Sequence, residues 1–90
     1  MILATARFED LDRFTNAFQN EGGPLRKQHG SRGAQLFRDP NDANRAWAVF
    51  DWDDEGWESY VSDPAAAEVF QDAGLEAPPV EAVRILDHEA

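Results

Sequence analysis

Ninety residues bound the chain to one domain, read as 1–90, and a lone copy of that length buries only about 60–65% of its unfolded surface. Eighteen acidic against eight basic residues give a formal charge of −10, a field that repels nucleic-acid backbones and anionic membranes alike. Without cysteine there are no disulfides, thiolate metal sites or cysteine nucleophiles, and no apolar run approaches the ~20 residues of a membrane span. Nor does the N-terminus read as a secretory leader, so the expectation is a cytoplasmic protein with no nucleic-acid or membrane partner.

Ile2 to Phe8 opens the chain as a strand, with Ile2, Ala4, Ala6 and Phe8 alternating against Leu3, Thr5 and Arg7. Glu9-Asp10 supplies a helix start, and Leu11, Phe14, Ala17 and Phe18 form one apolar stripe behind it. Gly22-Gly23-Pro24 is expected to interrupt that helix. Pro24 to His29 then forms a second helical segment, with Gly30 as its left-handed stop. The dense basic group Arg26, Lys27, His29 and Arg32 lies here, too small for a nucleic-acid footprint.

Gly33 to Arg38 reads as a second strand, and Asp39 to Asn44 as the loop of a hairpin. Arg45 to Trp52 is the central strand, apolar on both sides and therefore covered on both faces. Asp53-Asp54-Glu55 follows as a helix N-terminus, with Trp57, Tyr60 and Val61 at helical spacing. Asp63-Pro64 ends or bends that helix, and Asp63 can also cap a new one with Pro64 at its first position; the apolar stripe that follows is Ala65, Ala66, Val69, Phe70 and Ala73, with Gly74 as the stop. After an extended linker over Leu75 to Pro79, Val80 to Asp87 is expected as the last strand.

Strand, helix, strand, strand, helix, strand is the α+β, ferredoxin-like βαββαβ order: a four-stranded antiparallel sheet with helices on one face. The strands carry apolar residues on both sides, so the second sheet face needs a cover. A two-fold homodimer that stacks the two sheets into a barrel supplies it.

His29-Gly30 before a strand, Leu36-Phe37-Arg38-Asp39 with Asn41, Val49-Phe50-Asp51-Trp52, and Ala73-Gly74 followed by Pro78-Pro79 resemble the dimeric α/β-barrel superfamily. The small members grouped with antibiotic-biosynthesis-type monooxygenases are the nearest in look. The resemblance implies a pocket between sheet and helices for an apolar or aromatic small molecule. It also implies that any enzyme here would be a cofactor-free monooxygenase or a polyketide-cyclase-like protein. The alternative is a non-catalytic ligand-binding or stress-related barrel dimer, because fold does not carry function in this group.

Each candidate site residue has two readings. His29 is the candidate catalytic base, its unperturbed pKa being suited to neutral pH; the plainer reading has it meet the last carbonyls of its helix. Phe14 and Trp47 are candidate pocket wall, against a role in core or dimer contacts. Trp47 and Trp52 are an odd number apart, so in a regular strand they face opposite ways. Arg7 and Arg84 lie on strands that the topology makes neighbours. They are candidates to hold an acidic or enolate group, unless they reach solvent or pair with Asp51 or Glu81. Asp51 is the candidate ligand-binding carboxylate, or else a strand-end residue facing water. The consecutive acids at Asp53 diverge and suit a cap, and His29 and His88 form no haem or zinc set, so no metal and no cofactor is expected.

Overall fold

The computed structural model describes residues 1–88. Its strands are β1 (Ile2–Arg7), β2 (Ala34–Asp39), β3 (Asp42–Phe50) and β4 (Val80–Glu81). They form one antiparallel sheet in the order β2-β3-β1-β4. The helices are α1 (Leu11–Ala17), α2 (Gly23–Gln28), α3 (Asp54–Val61) and α4 (Pro64–Asp72), with a π-helical turn over Phe18–Gly22 between the first two. This is the α+β, ferredoxin-like arrangement the element order predicts.

Register decides which side of each strand meets the helices. Ile2 pairs with Phe50 and Ala4 with Ala48, and all four are buried beneath the helices. The alternate residues line up on the other face. Phe37 opposes Trp47, Trp47 opposes Thr5, and Thr5 opposes Val80, a row that runs across all four strands. Phe37 is 51% exposed and Val80 63%, so one sheet face is a core and the other an open face that mixes exposed apolar side chains with Thr5, Arg7, Gln35 and Arg45.

The helix starts follow from their caps. Asp10, Asp53 and Asp63 sit in extended conformation and accept from the backbone N–H of Arg13, Gly56 and Ala65. Gly30 (φ 93°) and Gly74 (φ 71°) are the left-handed stops expected of them.

Three boundaries differ from the expectations. Gly22-Gly23-Pro24 does not break the first helix: both glycines hold right-handed helical dihedrals, and helix runs on from Leu11 to Gln28. A proline removes a donor and crowds the carbonyl four residues back, and the wider π turn just ahead of Pro24 makes room for that. The central strand runs over Asp42–Phe50 instead of Arg45–Trp52, because the hairpin closes tightly at Pro40-Asn41. The Asn41 N–H donates to Asp39 Oδ1 at 2.8 Å, and the Asn44 N–H to Asp42 Oδ1 at 3.0 Å. Finally, β4 pairs only at Val80 and Glu81, with one further bond from the Ala82 N–H to the Leu3 carbonyl at 2.8 Å. In this antiparallel register Val83 falls opposite Ile2, and the residues after Val83 run off the N-terminal end of β1. Val83, Ile85 and Leu86 are left 89%, 100% and 74% exposed.

Trp52, 1% exposed, locks the helices to the end of β3. Its indole N–H donates to the His29 carbonyl at 2.8 Å, and Trp57 and Tyr60 pack against its ring.

Candidate functional site

Beneath the helices the sheet is floored by small side chains. Ala4 pairs with Ala48 and Ala6 with Ala46, so four alanines face aromatic residues of the helices. Methyl groups do not reach those rings, and a cavity of about 60 Å³ remains between the two layers. Its walls are Phe14 and Phe18 from the first helical run, Phe50 from the end of β3, Trp57 and Tyr60 from α3, and Phe70 from α4. Aromatic contacts hold this wall in place: Phe8 stacks on Phe14 at 4.9 Å, and Phe18 lies 6.2 Å from Phe50.

One charge enters this lining. Arg26 is 7% exposed, and its Nη2 donates to the Phe18 carbonyl at 3.0 Å. The guanidinium carbon lies 3.9 Å from the centre of the Phe18 ring and 5.6 Å from that of Phe50, within cation–π range. Burial pulls the Arg26 pKa below its ordinary value, and no carboxylate lies within 4.0 Å among the described residues. The Tyr60 phenol beside it is pushed up by burial, a shift that the guanidinium opposes. Gly22 makes the space, since a β-carbon there would collide with Nη1 of Arg26. Among the described residues no carboxylate or imidazole lines the cavity.

Of the residues singled out from sequence, Phe14 lies in this wall and the others lie elsewhere. His29 has its ring between Ser59 and Asp63, with Nδ1 2.7 Å from the serine Oγ and Nε2 2.9 Å from Asp63 Oδ2. That bond, together with the cap bond from Ala65, holds the Asp63 carboxyl below its usual range. Trp47 is on the open face and donates its indole N–H to Asp39 Oδ2 at 2.8 Å. Asp51 pairs with Arg32 at 3.0 Å in solvent, both side chains more than half exposed. Arg7 pairs with Asp42 at 3.0 Å and Glu76 at 3.5 Å. Arg84 lies beyond the paired part of β4. Antiparallel pairing puts the C-terminal ends of β1 and β4 at opposite edges, so the two arginines do not come together.

Arg26 was not singled out from sequence, though a signal exists. Phe14, Phe18, Gly22 and Arg26 recur every four residues, one helical face carried through an unbroken helix. Breaking the helix at Gly22 hides that face.

No family's sequence profile and no curated protein matches the chain. Several solved structures share its fold, among them two crystal structures. One is a crystal structure of a candidate antibiotic biosynthesis monooxygenase from Chloroflexus aurantiacus J-10-fl. It is 18% identical, covers 98% of this chain and 94% of its own, and has a TM-score of 0.52. The other is an antibiotic biosynthesis monooxygenase, 12% identical, covering 98% of this chain and 100% of its own, with a TM-score of 0.56. At these identities the likeness is one of fold.

Proposed function

We propose that the chain is a homodimeric α/β-barrel protein that binds a small apolar or aromatic molecule between its sheet and its helices. The observation that carries this reading is the cavity itself, an alanine floor under aromatic walls with one cationic group. Sites for small molecules have this character: mostly apolar, with few and well-placed polar groups. Its 60 Å³ is far below the roughly 300–1,000 Å³ of a drug-sized site and below the roughly 150 Å³ that holds a benzene, so a single ring enters only as the walls move outward, and multi-ring polyketides are disfavoured.

The dimer part rests on the open sheet face. A row such as Phe37, Trp47 and Val80 is costly to leave in water, and a second copy related by a two-fold axis covers it with the same surface. Sedimentation equilibrium is expected to give twice the 10.1 kDa chain mass at micromolar concentration, and a stable monomer would contradict it.

Filling the floor tests the cavity. Ala48→Leu is expected to abolish binding of toluene, measured by calorimetry, while keeping or raising thermal stability. Undiminished binding would move the ligand elsewhere.

A second reading, a cofactor-free monooxygenase, is favoured by the names of the two fold neighbours. In it the apolar cavity shields a deprotonated substrate and Arg26 holds its oxyanion. The non-catalytic reading is preferred, because no carboxylate or imidazole among the described residues lines the cavity and His29 is hydrogen-bonded to Ser59 and Asp63 outside it.

A further inference from the structure

We infer that Arg26 is the recognition group of the cavity and that its ligand is a single-ring compound bearing one acidic oxygen, a carboxylate, phenol or enol. The inference rests on the cavity being the ligand site and adds the chemistry of what enters.

A buried charge is costly unless it is paired, and removing a guanidinium from water is repaid only by well-placed partners. Arg26 has partial compensation, from the Phe18 carbonyl, the neighbouring Tyr60 hydroxyl and two aromatic faces. Of the five donors of a guanidinium, one is assigned to the Phe18 carbonyl. Among the described residues no carboxylate is set against this arginine, while Arg7, Arg13, Arg32 and Arg45 each have one within 4.0 Å. An internal carboxylate would close the site. Without one among the described residues, the guanidinium faces an apolar cavity with no internal counter-ion.

Two further features agree. Gly22 removes the one side chain that would push the guanidinium aside, so the backbone is cut to seat it. Tyr60 also lines the cavity beside Arg26, and its phenol hydroxyl is a second donor available to an acceptor oxygen. Planar Arg matches a carboxylate in fork geometry, and the aromatic walls suit the face of a ring.

The test is a calorimetric titration of the purified protein with benzoate, benzamide and toluene, repeated on Arg26→Met. Benzoate is expected to bind at least about tenfold more tightly than either neutral probe, and the variant to lose that preference while still binding toluene. Equal binding of all three probes, unchanged in the variant, would make Arg26 structural and overturn the inference while leaving the cavity reading intact. No binding of any probe to the wild-type protein would overturn both.

Should Arg26→Met fail to fold, 4-nitrophenol decides with the wild-type protein alone. The absorbance of the bound molecule is expected to show its ionised form at a lower pH than in free solution. A midpoint that is unchanged or raised would contradict the role given to Arg26.

Discussion

Gly56 has no room for a methyl group. A β-carbon there would stand 2.6 Å from the His29 carbonyl and collide with the Trp52 indole, the two partners of the bond that joins the end of α2 to the core. Gly56→Ala is therefore expected to lower stability by about 1–3 kcal/mol in denaturant unfolding, and an unchanged midpoint would mean that this contact relaxes freely. Glu21 is a second residue whose effect has a sign. Its carboxyl is held above the ordinary value by the neighbouring Asp72, so the folded state binds its proton more tightly. That favours folding in acid and is lost as pH rises through the raised value. Glu21→Gln should thus raise the melting temperature at neutral pH and change it little below about pH 4. At this scale the sequence was legible where a residue acts alone: the caps Asp10, Asp53 and Asp63 and the stops Gly30 and Gly74 follow from local chemistry. Arg26 was not legible, because its role depends on a helix that Gly22-Gly23-Pro24 locally argues against. The same holds for His29, whose partners Ser59 and Asp63 are thirty and more residues away.

The elements gain from their ends as well as their faces. Asp53→Ala removes the cap on the Gly56 N–H and is expected to cost about 1 kcal/mol, read as a fall in the urea midpoint. Several carboxylates tie elements together and share one pH response. Asp39 is held below its ordinary value first by the Trp47 indole, Asp42 by the Asn44 N–H and then Arg7, Asp51 by Arg32, and Asp63 by His29. A depressed folded pKa means the folded state releases the proton more readily. The stability from these contacts is fully present above the unfolded aspartate value of about 3.9 and is lost as pH falls through the lower folded values. Acid unfolding below about pH 4 is the expected outcome, and a melting temperature flat down to about pH 2 would contradict it. Element type and order were readable from periodicity, since the alternation in β1 and β3 survives any error at their ends. The length of β4 was not: Val80 to Asp87 alternates as a strand should, but a strand needs a neighbour, and β1 ends first.

At the scale of the molecule two surfaces matter, the open sheet face and the cavity under the helices. Phe37→Asp places a charge in the middle of the open row and is expected to shift the sedimenting species to the 10.1 kDa monomer with little loss of monomer fold. A charge of −10 opposes the approach of any anion, so association of benzoate should quicken as salt screens that field, opposite to an electrostatically steered ligand. No helix among the described residues is long and apolar enough to cross a membrane. The most direct measurement is a proton–nitrogen correlation spectrum of the protein titrated with toluene. Binding in the cavity predicts shifts gathered at Phe14, Phe18, Ala48, Trp57 and Phe70, with Phe37 and Trp47 unmoved. Shifts centred on Phe37 and Trp47, or none up to the solubility of the probe, would contradict a ligand site between sheet and helices.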